Sequence, residues 1–152
     1  MLLGFYTEYR WIIDMALATI IGAIVGTERE LRGKSAGVRT YALVCLSSYL
    51  FSFLSIHAPG TNDSMRVAAQ IIPGVGFIGA GVIWRKESAS IEGLTTAASL
   101  LQIAAVGMAI GFGYMKIAVV SMAFALGVME TFGILVHRLK RNKIEVDIES
   151  KK

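Results

Sequence analysis

The chain has 152 residues, 55% of them hydrophobic and 17% charged, with a formal charge of +4 and a mean hydropathy of +0.61. Soluble domains carry about 25% charged residues, so this composition excludes a globule with an ordinary charged surface, and its apolar content excludes intrinsic disorder. A single cysteine, Cys45, excludes an internal disulfide and a multi-thiolate zinc site.

A helix crossing the hydrocarbon core needs about 20 mostly apolar residues. Five runs answer that description in chain order, at about 11–26, 40–57, 67–84, 94–111 and 114–136. They predict an all-α polytopic membrane protein, a bundle of five transmembrane helices covering residues 1–136, followed by a basic tail over 137–152. The first run is expected to stay in the mature protein, because Glu8, Arg10 and Asp14 lie at or in its start and no small-residue cleavage pattern precedes Glu28, Arg29 and Glu30. Arg10 stands four residues before Asp14, which is helix-pair spacing. Small residues recur four apart at Gly22 and Gly26, at Gly107 and Gly111, and at Ala123 and Gly127. In lipid such spacing lets helices approach closely, so a tight bundle with a homo-oligomeric seam is expected.

The third run reads Gln70-Ile-Ile-Pro73-Gly74-Val-Gly76-Phe77-Ile-Gly79-Ala-Gly81. Gly74, Gly76 and Gly79 match a dinucleotide-binding spacing, but that fingerprint requires a preceding strand, and this one sits inside an apolar run. Pro73 removes a backbone donor and crowds the preceding turn, so a bend or break is expected near Pro73 and Gly74. Two roles for this segment stay open: a glycine-rich helix threaded through the centre of the bundle, or a broken helix lining a transport path.

Short basic loops stay in the cytoplasm. Arg29, Arg32, Lys34, Arg39, Arg85, Lys86 and six cations of the tail fall on one side of the five runs, with Arg10, Arg66 and Lys116 on the other. The N-terminus is therefore expected outside and the C-terminus in the cytoplasm. Arg39 is a candidate tie between the second helix and Glu28, Glu30 or Glu130. Glu130 lies about 9 Å inside the cytoplasmic end of the fifth run at helical rise, where an ionised carboxylate is expensive and a functional role is the default. Arg66 and Gln70 stand four apart, as bracing partners, and Thr95 and Thr96 open the fourth run. His57 and His137 fall at opposite predicted ends, and no serine lies in a hydrolase motif. No catalytic group, metal ligand or cofactor site is expected, and no nucleic-acid partner; the absence of a row of intramembrane carboxylates also argues against a dedicated divalent-cation transporter.

Four blocks occur in order: Glu28-Arg29-Glu30 with Ala36-Gly37-Val38-Arg39-Thr40; Arg66-Val-Ala-Ala-Gln70; Gly74 to Gly81; and Gly93-Leu-Thr95-Thr96-Ala-Ala98. In this the sequence resembles the MgtC/SapB family of bacterial inner-membrane proteins. The resemblance implies a five-helix domain, a place in adaptation to low magnesium and survival inside macrophages, and action by binding another membrane complex, the F-type ATP synthase, rather than by carrying magnesium. It marks Glu28, Arg29, Gly37, Arg39, Thr40, Arg66, Gln70, Gly76, Phe77, Gly79, Gly81, Gly93, Thr95 and Thr96 as signature positions, with Glu130 added from its position alone. Pro73, Leu101, Gln102 and Glu130 depart from the family pattern. Many members continue into a soluble C-terminal domain, and this chain is expected to be a short form without one. The two functional readings are a non-enzymatic membrane regulator and an ion transporter or channel subunit.

Overall fold

The computed structural model describes residues 9–57, 65–85 and 90–149. In chain order the elements are α1 (Arg10–Leu31), α2 (Val38–His57), α3 (Arg66–Ala69), α4 (Ile71–Gly81), β1 (Trp84–Arg85), β2 (Ile91–Glu92), α5 (Leu94–Gly111) and α6 (Met115–Glu149). The chain is thus an all-α membrane protein. Among the described residues, α1, α2 and α5 are each long and apolar enough to cross a bilayer.

Contacts divide the chain into two compact units, Met1–Met122 and Ala123–Lys152. In the first, α2 is the hub, with α1 and α5 packed along it. Its buried face carries Tyr41, Cys45, Ser48, Ser52 and Ser55, spaced four, three, four and three residues apart, while Leu43, Leu50, Phe51 and Leu54 are exposed. In lipid, tails are as apolar as leucine, so small and weakly polar side chains go to the helix seams and large apolar ones face outward. The exposed Ile13, Leu17, Ile20 and Ile24 of α1 obey the same rule.

Glycine makes the seams close. A Cβ on Gly22 would stand 2.6 Å from the Tyr41 carbonyl oxygen, and one on Gly26 would stand 2.6 Å from the Val38 Cα. Gly107 and Gly111 press in the same way on the carbonyls of Cys45 and Tyr49. The two expected small-residue pairs therefore serve α1 on α2 and α5 on α2.

The third run departs from expectation. Its break falls at Gln70, three residues before Pro73, and helix ends at Gly81, so no single span over 67–84 forms. Pro73 is the third residue of α4, in the first turn, where a missing N–H goes unnoticed, while its ring excludes the carbonyl four residues back from a continuous helix. The Gly74 N–H still bonds the Gln70 carbonyl at 3.2 Å. Nor does the segment thread the bundle centre. It packs chiefly on α5 through Ile71, Val75 and Gly79, with a slighter contact to α2. At 11 residues, α4 is only about 16 Å long.

A ribbon that the apolar runs did not foretell follows. β1 and β2 pair antiparallel, Trp84 with Glu92 and Arg85 with Ile91, and return the chain to Gly93, whose φ of +92° precedes α5. The second unit is the continuation of α6, which carries Glu130, Arg138, Lys140, Arg141 and Lys143, while Lys151 and Lys152 of the tail lie outside the described residues.

Candidate functional site

The end of α1, the start of α2, the end of α4 and the start of α5 meet at one end of the first unit, and most signature positions lie there. α1 closes on Gly33 at φ +63°, with Lys34 N–H bonded to the Arg29 carbonyl at 3.0 Å and Gly33 N–H to the Glu30 carbonyl at 2.9 Å. This left-handed glycine stop satisfies the last carbonyls and reverses the chain. Glu30 then reaches across the turn: its Oε2 accepts the Val38 N–H at 2.9 Å, so a carboxylate meets the positive end of the α2 dipole. Gly37 leaves the room, because a Cβ there would strike the Glu30 carboxylate.

Arg29 is 3% exposed. Its guanidinium grips Glu28 with two nitrogens, Nη2 to Oε1 at 2.6 Å and Nε to Oε2, and Arg32 Nε joins the same carboxylate at 2.5 Å. Consecutive residues on a helix do not ordinarily face one another; the long guanidinium folds back to do so, since an unpaired buried charge would be far worse. Nearby, the Tyr41 hydroxyl donates to Ser99 Oγ at 2.5 Å, and Ser99 donates onward to the Thr96 carbonyl at 2.9 Å. Thr96 is buried and Thr95 exposed; Thr40 is half-buried. Gly79 lies against Ala97, and a Cβ on Gly93 would strike the Val82 carbonyl.

Other signature residues take no part in these contacts. Arg39 is exposed and joins no ion pair among the described residues. The expected tie to Glu28 or Glu30 does not form, because Glu28 is occupied by two arginines and Glu30 by the α2 backbone. Arg66 and Gln70 stand at the opposite end, both exposed. On α4, Phe77 is 82% exposed, and nothing lies within 4 Å of where a Cβ would sit on Gly74, Gly76 or Gly81. Glu130 is half-buried in the second unit.

Three features escaped the sequence reading. The Tyr41–Ser99 bond and the serine face of α2 were legible in the four-three spacing of Tyr41, Cys45, Ser48, Ser52 and Ser55, which a tally of apolar residues overlooks. The Glu30 cap had its signal in an acid eight residues before a helix start across a Gly-containing turn. At the far end, Tyr49, Phe53 and His57 recur four apart and stack, with ring centroids 5.9 Å and 4.1 Å apart.

The sequence profile of the MgtC family matches residues 15–138. Protein SapB of Bacillus subtilis (strain 168) is 41% identical over 124 residues, 76% of this chain and 53% of that protein. A protein of Escherichia coli (strain K12) named "Putative magnesium transporter YhiD" is 39% identical over 147 residues, 91% of this chain and 67% of that protein. Protein MgtC of Salmonella typhimurium (strain LT2) is 41% identical over 108 residues, 71% of this chain and 46% of that protein. No solved structure matches. The chain spans about half to two thirds of the length of these relatives. With three of the four motif blocks reaching one end of a helical membrane unit, this match over most of its length means that the chain belongs to the MgtC family.

Proposed function

We propose that the chain is a non-enzymatic regulator of the bacterial inner membrane that acts by docking on another membrane complex. The N-terminus lies outside and the C-terminus in the cytoplasm in this reading, following the distribution of Lys and Arg. The supporting observation is the open face of α4: Phe77 projects 82% exposed beside Gly74, Gly76 and Gly81, whose surroundings are empty. A large aromatic among bare backbone offers a knob and holes of the kind that membrane helices interlock. In this reading the setting is adaptation to low magnesium and survival within host cells and the partner is the F-type ATP synthase, as the motif resemblance implies, with self-association through the same face. A photo-crosslinking residue at Phe77 in living cells is expected to trap a defined membrane complex, and one at exposed Ile24 of α1 is not. Identical lipid-only capture at both positions, with ATP synthase activity unchanged on overexpression, would overturn the reading.

A second reading, magnesium-related transport, draws on the break at Gln70 and on the transporter name of the E. coli relative. Proteoliposomes separate the two: magnesium flux abolished by Gly76→Ala and Glu130→Gln would favour transport, and absence of flux would remove it.

A further inference from the structure

At the end of the bundle away from the signature residues, a cavity of about 520 Å³ opens between the start of α1, the end of α2 and the end of α5. Its lining includes a pair of opposite charges, beside Tyr49 and His57. Arg10 Nε lies 3.4 Å from Asp14 Oδ2, and the Arg10 side chain is 51% exposed. The Asp14 side chain is only 16% exposed. The rest of the wall is aromatic, from Trp11, Tyr49, Phe53, His57 and Phe112, with Ile56, Ile110 and two glycines between them. The Tyr49 hydroxyl donates to the Trp11 carbonyl at 2.9 Å, pinning α1 to α2, and Nδ1 of His57 bonds the Phe53 carbonyl at 2.8 Å while its ring stacks on Phe53.

We infer that this cavity binds the headgroup of a zwitterionic phospholipid of the phosphatidylethanolamine type. A lone anion would meet Asp14 and a lone cation would meet Arg10, so the pair suits a ligand carrying both signs. The planar guanidinium takes a phosphate through two parallel hydrogen bonds, and the carboxylate takes a primary ammonium. The site is at the end of two membrane-length helices beside Trp11, which is interfacial chemistry. An ammonium with three N–H donors satisfies Asp14; a quaternary choline has none.

The test uses the full chain in detergent, with lipid retention read by native mass spectrometry. Phosphatidylethanolamine is expected to bind about tenfold more tightly than phosphatidylcholine, and Arg10→Gln to weaken both by about tenfold, as loss of a charge-assisted bidentate contact does. Asp14→Asn should erase the preference between the two headgroups. Lys116→Gln, which removes a cation outside the cavity, should leave binding unchanged. Equal or tighter binding of the choline lipid, or full retention by Arg10→Gln, overturns the inference. Free phosphoethanolamine binding as tightly as the lipid overturns the lipid assignment in favour of a soluble zwitterion. If the Arg10 variant does not fold, Trp11 fluorescence in a Trp84→Phe background carries the same comparison: a response to the ethanolamine lipid but not the choline lipid supports the site, and no difference overturns it.

Discussion

The hydroxyls of Tyr41 and Ser99 meet at 2.5 Å, deep in the seam between α2 and α5. The bond is asymmetric in its consequences. Ser99 already donates to the Thr96 carbonyl, so Tyr41→Phe leaves no donor stranded, whereas Ser99→Ala leaves a buried phenol without its acceptor. Interhelical hydrogen bonds in membranes average about 0.6 kcal/mol, while an orphaned buried polar group costs about 1–3 kcal/mol. Ser99→Ala is therefore expected to destabilise more than Tyr41→Phe, and the double variant no more than Ser99→Ala alone, in denaturant titrations in detergent. The reverse order would show that the bond is not what holds the pair.

The glycines divide into two classes with opposite outcomes. At Gly22 and Gly26 an added methyl would press on backbone that cannot yield, and overpacking costs about 1–3 kcal/mol. At Gly76 nothing stands in the way, and replacing glycine by alanine in a helix gains up to about 1 kcal/mol. Gly22→Ala should lower the melting temperature and Gly76→Ala should not. Loss of partner capture by a Gly76→Ala protein that melts normally would locate docking on α4.

Ser52 Oγ is buried and without a hydrogen-bond partner among the described residues. Ser52→Ala removes a desolvated polar atom and leaves its packing volume nearly intact. Stability is expected to hold or rise by about 1 kcal/mol, in contrast to the loss at Ser99, and the same titration distinguishes them.

Glu30 and Arg39 reverse the ranking that charge alone implies. Glu30 caps the Val38 N–H, so Glu30→Ala should cost about 1 kcal/mol, the ordinary worth of a helix cap. Arg39 is exposed, and Arg39→Ala should change stability by no more than about 0.5 kcal/mol. Thermal unfolding of both variants beside the parent protein checks the pair, and a larger loss at Arg39 would contradict the exposure described above.

Helix existence was legible because α1, α2 and α5 are continuous apolar runs of membrane length; the fourth run, 94–111, coincides with α5 residue for residue. The seams were legible in part. Gly22, Gly26, Gly107 and Gly111 announce close approach, but composition could not say which helix each would meet. In the third run glycine richness fits either a central helix or a broken one, and it does not reveal that Gly74, Gly76 and Gly81 open on empty surroundings while Gly79 alone of the four touches a neighbour. The bend expected near Pro73 and Gly74 falls instead at Gln70, because Pro73 takes a place in the first turn of α4. At the candidate site, the motif named Glu28 and Arg29 without showing that they would grip each other, because neighbours on a helix join only when burial forces a long side chain to fold back.

The one-sided grip on α4 has a thermodynamic corollary. This helix rests chiefly on its seam with α5 and only lightly on α2, with a break at Gln70 on one side and a two-residue ribbon on the other. Elements with few buried apolar contacts open at the low end of the free-energy scale. Deuterium uptake in α4 should therefore outpace that of α2 long before the molecule as a whole unfolds, leaving the glycine segment free to rearrange while the trio of α1, α2 and α5 stays fixed.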